Sequence, residues 1–268
     1  MIYVESKGGL GNQLYLANVA FRLYRELELS VRLDCSWHQR KGNRRFELPN
    51  HITKECSSSI GSYNIRRLLA KQIRIADSTE YSFSTISNQI TGSKWQNSFR
   101  LKGFFQSDSL VSEEFVKLLR GCIEEINLSG NVIQSLRSGT LIHVRLGDYL
   151  TNPSFSVISS EYLRQALMRC QPSSAVVMTD SVESLSIFPE LMQFPVLDTS
   201  SLNSIELMSL SRHTKHFIGS NSTLSRWISY LVRNYGGSYV LPVSNSGCRC
   251  CIQASLISKD TTMINVHV

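Results

Sequence analysis

A chain of 268 residues that is 42% apolar, with three Trp, ten Tyr and eleven Phe, is long enough for one large α/β domain or two smaller ones. No apolar run reaches the ~20 residues that span a bilayer. The opening MIYVESKGGLGNQ has no basic stretch followed by an apolar block, so the expectation is a cytoplasmic protein without a secretory leader.

The net charge of +7 suits an anionic ligand such as a nucleotide or lipid diphosphate. It also permits peripheral contact with an anionic inner membrane. It does not point to nucleic acid, because no aromatic-and-basic strand motif and no zinc-finger spacing occurs. The seven cysteines are odd in number and mostly scattered, which suits reduced thiols. Cys248-Arg-Cys250-Cys251 is the one cluster, and it matches zinc spacing poorly.

In chain order, Met1–Glu5 reads as a strand and Ser6–Asn12 as a glycine-rich turn. Gln13–Glu28 then reads as a helix, with Leu14, Ala17, Phe21, Tyr24 and Leu27 on one face. Leu29–Asp34 reads as a second strand, so the chain opens with the unit of a parallel sheet. Residues 35–100 are polar, serine-rich and weakly periodic, with a helix suggested over Arg66–Ile75. Leu101–Phe105 reads as a strand, and Ser112 caps a helix through Glu125. Asn127–Gly139 reads as a connection.

The second half alternates. Strands fall at 140–145, 175–179, 215–219 and 237–241. Helices fall at 160–170, capped by Ser160, and at 203–212 and 223–235. The fold class expected is α/β, with two βαβ halves: residues 1–126 and residues 127–268. Ligands of such sheets bind at the carboxyl ends of the strands, in a crevice where two halves meet.

Three of those strand ends carry polar chemistry, and so does the glycine loop. TLIHVRLGDY, Thr140–Tyr149, is a strand running into His143, Arg145 and Asp148, with Gly147 to let the backbone turn. An ordinary strand end with a surface ion pair fits that spacing equally well. Gly8-Gly9-Leu10-Gly11-Asn12-Gln13 lets a backbone approach a phosphate or sugar, or simply makes a tight turn; it is neither a dinucleotide fingerprint nor a P-loop. Val176–Asp180 ends in an acid that can accept from a ribose or a guanine edge, or cap a helix from Ser181 onward. In HFIGSNSTLSRW, any of Ser220, Asn221, Ser222 and Thr223 can be the helix N-cap, and the same helix start can cradle a phosphate. No D-x-D motif occurs, so clustered carboxylates for a diphosphate-bound divalent ion are absent from the sequence. No G-x-S-x-G elbow occurs either.

GGLGNQLYLANVAFRLYRE, HVRLGDY and ELMSLSRHTKHFIGSNSTLSRWISYL, in this order, resemble the α-1,2-fucosyltransferases, the inverting, GDP-fucose-dependent glycosyltransferase family 11. The resemblance covers about a third of the chain. It implies a GT-B-like fold of two Rossmann-type halves facing a cleft, with residues 1–126 on the acceptor side and 127–268 holding GDP-fucose. It implies no metal and no cofactor beyond the donor, and a galactose-containing acceptor glycan such as a lipid-linked O-antigen repeat. It places Arg145, Asp148 and His143 at the reacting end, with Arg145 on the diphosphate and either Asp148 or His143 available as base. Gly11, Asn12, Gln13, Asp180, Asn221, Ser222 and Thr223 fall on its binding motifs. The chain departs from the family pattern at Leu146, where a second arginine is common, at Ser181, where a second acid is common, and at Arg226-Trp227-Ile228. Two other readings remain: a related enzyme using another nucleotide sugar, and a basic protein that binds an anionic polymer.

Overall fold

The computed structural model describes residues 1–40, 42–57, 59–61, 71–74, 82–92, 98–124, 134, 136, 139–153, 155–197, 199, 202–243 and 264–265. The chain divides into two compact units, Met1–Cys122 and Ile123–Val268.

The first unit is built on a five-stranded parallel sheet. Its elements are β1 (Ile2–Glu5), α1 (Leu10–Arg25), β2 (Val31–Asp34), α2 (Asn50–Cys56), β3 (Ser59–Gly61), β4 (Lys71–Arg74), α3 (Phe83–Thr91), β5 (Phe99–Lys102) and α4 (Glu113–Glu124). The strand order is β3-β2-β1-β5-β4, and every neighbouring pair is parallel. Helix α1 begins three residues before the expected start. Gly8 at φ +78 and Gly9 in extended backbone complete the turn, so Leu10 already lies in the helix. It also ends before Glu28, which takes a left-handed φ of 52. Every residue of α1 from Gln13 to Phe21 is buried, so this is an interior helix rather than an amphipathic surface one. Ser112 does cap α4, its hydroxyl accepting from the Phe115 amide at 3.5 Å.

Lys71–Arg74 corrects the helix read over Arg66–Ile75. These four residues form a strand in register with β5, Ile73 opposite Leu101. The rest of that stretch lies outside the described residues, as do Cys248, Cys250 and Cys251 and most of the 127–139 connection.

The second unit carries a four-stranded parallel sheet in the order β7-β6-β8-β9. In chain order its elements are β6 (Thr140–Val144), α5 (Gly147–Thr151), α6 (Ser160–Cys170), β7 (Ala175–Thr179), α7 (Ser204–Ser209), β8 (His216–Ile218), α8 (Thr223–Asn234) and β9 (Ser238–Val240). A short β10 (Pro242–Val243) pairs with β11 (Ile264–Asn265). Helix α6 is capped by Ser159, one residue earlier than expected, its Oγ accepting from the Tyr162 amide. Helix α7 starts at a reciprocal cap between Asn203 and Glu206, then tightens into a 3₁₀ turn over Leu210–His213.

Strands β6 and β7 are buried at every position. A parallel sheet covered on both faces has no solvent side, so alternation along TLIHV and AVVMT separates two buried faces. Among the described residues no helix is long and apolar enough to cross a membrane.

Candidate active site

Register places the charged residues. Strand β6 pairs with β7 so that Val144 faces Thr179. The next residue on each chain is Arg145 on one side and Asp180 on the other, both just past the carboxyl edge. Arg145 Nη1 lies 2.9 Å from Asp180 Oδ2. Its Nη2 and Nε donate to Asp148 Oδ1 at 2.8 and 3.1 Å. One guanidinium is thus held between two carboxylates, hydrogen-bonded to Asp148 through Nε and Nη2 and ion-paired with Asp180 through Nη1. Asp180 Oδ1 also accepts the Leu146 amide at 2.8 Å. Its carboxylate therefore serves as the brace of the Arg145 loop, not as a cap for the residues after it.

Gly147 is required by that brace. A Cβ there would stand 2.5 Å from Asp180 Oδ2, so any side chain would push the carboxylate off its partners. Leu146 explains a departure from the pattern of the resemblance. It is fully buried in an apolar cluster with Val144, Ile158, Tyr162 and Leu163. A second arginine there would have to desolvate its charge in that cluster.

The third strand end joins the same site. Ser222 is the N-cap of α8, its Oγ accepting from the Ser225 amide at 3.1 Å. Thr223 is the first helical residue, and the amides of Thr223 and Leu224 have no carbonyl to receive them within the helix. Such an end attracts anions. Tyr149, the residue after Asp148, donates its hydroxyl to the Asn221 carbonyl at 2.8 Å. That bond ties the Arg145 loop to the helix start.

His143 lies beneath this surface. It is 5% exposed, and its Nδ1 is 2.7 Å from Ser225 Oγ. Burial, and then the charge of Arg145, pull its pKa down to about 4, against the opposing pull of Asp180. The ring is neutral at pH 7 and is screened from solvent.

The glycine loop belongs to the first unit, where Asn12 and Gln13 are hydrogen-bonded. Gln13 is fully buried. Its Nε2 donates to the carbonyls of Gly8 and Arg45, both at 2.9 Å, and its Oε1 accepts the Glu47 amide at 2.8 Å. Asn12 Oδ1 accepts from Gln106 Nε2 at 2.6 Å. Gly11 is buried in the first turn of α1. Gln13, which the sequence places on a binding motif, bridges α1 and the 45–47 segment, and both its N–H groups have protein acceptors.

The structure therefore brings together Arg145, Asp148, Asp180, Asn221, Ser222, Thr223 and His143. Sequence reasoning passes over Tyr149, Ser225 and Tyr162. Tyr162 is buried, with its hydroxyl donated toward the carbonyls of Gly219 at 2.6 Å and Val240 at 3.1 Å. A hydroxyl-bearing residue next to each motif is the available signal. Among the described residues no group of three or more His, Cys, Asp and Glu side chains is placed to hold a metal ion.

The profile of glycosyl transferase family 11 matches residues 46–247. The chain belongs to this family. Among relatives, this family 11 glycosyltransferase is 24% identical over 280 residues to the O-antigen biosynthesis glycosyltransferase WbnK of Escherichia coli, a match covering 86% of this chain and 90% of that one. Its fold resembles the α-1,6-fucosyltransferase NodZ of Bradyrhizobium. Against NodZ co-crystallised with GDP the TM-score is 0.51 at 13% identity, over 85% of this chain and 90% of that one. Against NodZ soaked with GDP-fucose it is 0.50 at 13% identity, over 86% and 91%. The fold is GT-B-like, α/β with two Rossmann-type halves.

Proposed function

We propose that this glycosyltransferase is a galactoside α-1,2-fucosyltransferase. It transfers L-fucose from GDP-fucose to the 2-hydroxyl of a β-galactose in a glycan such as an O-antigen repeat, with inversion and without a metal ion. Membership of family 11 supports the reaction class, and the WbnK relative is named for O-antigen biosynthesis. The observation that carries the mechanism is the guanidinium of Arg145 beside the open start of α8, braced by Asp180 and tied through Tyr149 to Asn221.

In the step itself the acceptor O2 bonds to the anomeric carbon while the bond from that carbon to the β-phosphate oxygen breaks. The electron pair leaves with GDP, and charge grows on the β-phosphate. Arg145 and the amides at Thr223 and Leu224 meet that charge in place of a divalent ion. Preorganised donors of this kind are worth on the order of 100- to 1000-fold each in rate. The acceptor proton goes to Asp148, whose side chain is 42% exposed against 25% for Asp180. Residues 127–268 hold the donor, and residues 1–126 carry the acceptor contacts.

The test is incubation with GDP-fucose and a panel of β-galactosides, with the product linkage read by NMR. A fucosyl-α-1,2-galactose product is expected. Transfer from UDP-sugars instead, or a linkage to another hydroxyl, would overturn the assignment.

A further inference from the structure

We propose that Ser225 is a positioning residue: it fixes His143 as the Nε2–H tautomer, which makes His143 a hydrogen-bond donor and removes it from general-base duty. The argument is a count of protons and lone pairs. Ser225 lies in the first turn of α8 and is fully buried. Its hydroxyl carries one proton and two lone pairs. The Ser220 amide donates to Ser225 Oγ at 3.1 Å. The Ser222 hydroxyl donates to it at 3.1 Å. Both lone pairs are then filled.

Two neighbours remain for the single proton, Ser220 Oγ at 3.1 Å and His143 Nδ1 at 2.7 Å. If Ser220 received it, a proton on His143 Nδ1 would point at an oxygen that already accepts twice. An unprotonated Nδ1 would face it with no proton to share. Donation across the shorter contact satisfies the imidazole and leaves Ser220 Oγ, 3.1 Å away, as the weaker neighbour. Nδ1 is then the acceptor, so the neutral ring carries its proton on Nε2.

A His143 in this state has its one imidazole lone pair, on Nδ1, occupied by Ser225, so none is left to take a proton from an acceptor hydroxyl. It can donate through Nε2–H, and it stays neutral because burial and Arg145 oppose its charging. The same Ser225 oxygen holds Ser220 and Ser222, on either side of the Asn221 carbonyl that receives Tyr149. One hydroxyl thereby sets both the imidazole's proton and the shape of the loop before α8. The catalytic consequence rests on the transferase reading; the tautomer does not.

The test is imidazole ¹⁵N NMR on the full chain, with His143 assigned by comparison with His143→Gln. The expected result is the Nε2–H tautomer, unchanged from pH 6 to pH 8. An Nδ1–H tautomer, or an imidazolium in that range, would overturn the inference without touching the transferase reading. In Ser225→Ala the ring is expected to populate both tautomers. The KM for GDP-fucose should then rise about three- to tenfold, the equivalent of one buried hydrogen bond, with the basic limb of the kcat–pH profile unmoved. Retention of both the single tautomer and the KM would sink the role given to Ser225. Absence of fucosyl transfer in every protein would fell the transferase reading and leave the tautomer result standing.

Discussion

Two strand–loop–helix turns in this chain look alike on paper and are spent differently. The turn after β1 carries Gly8 to Gln13, and the turn after β8 carries Gly219 to Thr223. In the first, Gln13 is consumed by the protein's own backbone, satisfying two carbonyls and one amide, and Asn12 accepts from the Gln106 side chain. In the second, one hydroxyl caps the helix, and the motif reaches across to neighbouring strand ends through Tyr149, Ser225 and His143. The difference is that side chains spent on backbone leave nothing over, whereas a helix start whose cap is a side chain still offers the amides of Thr223 and Leu224.

The strongest way to sharpen that contrast is Asp148→Asn. The amide oxygen keeps a contact to Arg145 while the base is lost. General-base loss costs about 100- to 10,000-fold in kcat. A kcat–pH profile checks it, and an unchanged rate on the basic side would remove Asp148 from the role.

Next in size is the response to acid. The folded pKa of His143 is about 4 against an ordinary 6.5. Between those values the unfolded chain binds the proton that the folded chain refuses, so stability is intact above pH 6.5 and falls as pH drops toward 4. The loss is on the order of 3 kcal/mol. Urea melts at pH 7 and pH 4.5, compared between wild type and His143→Gln, would show a smaller pH slope in the variant.

In the first unit, Gln13→Ala should act on stability rather than on the donor. Losing a buried amide that serves three backbone groups costs about 1–3 kcal/mol, seen as a lower Tm with the KM for GDP-fucose unchanged. A raised KM with a normal Tm would restore Gln13 as a ligand and break the comparison. The smallest effect is Ser222→Ala, where loss of an N-cap costs about 1 kcal/mol. Here the donor KM should rise as well, because the same helix start is read as the phosphate cradle.

How much of the molecule is legible in its sequence depends on whether the signal is local. The second unit's four main strands and the helices α6 and α8 can be read to within a residue or two, because runs such as AVVMT and TLIHV are unmistakably apolar and the helices are well spaced; the short α5, β10 and β11 cannot. The first unit's β3 and β4 cannot. Lys71–Arg74, KQIR, has one apolar residue in four, and only its place beside β5 makes it a strand. Sequence places the start of α1 too late because Leu10 and Gly11 look like turn residues until Gly8 and Gly9 are seen to complete the turn. The motif residues Arg145 and Asp180 both stand out in the sequence, but their partnership does not. They lie 35 residues apart, and only the register of β6 on β7 makes them neighbours. For His143 the sequence shows the residue type and not its burial.

The central claim is that a guanidinium and a helix start, with no divalent ion, stabilise the departing diphosphate. Initial rates of fucosyl transfer from GDP-fucose, measured in EDTA for wild type and Arg145→Ala, test it most directly. The account predicts an undiminished wild-type rate and an Arg145→Ala rate lower by on the order of 100- to 1000-fold. A wild-type rate abolished by EDTA, or an Arg145→Ala rate equal to wild type, would contradict it.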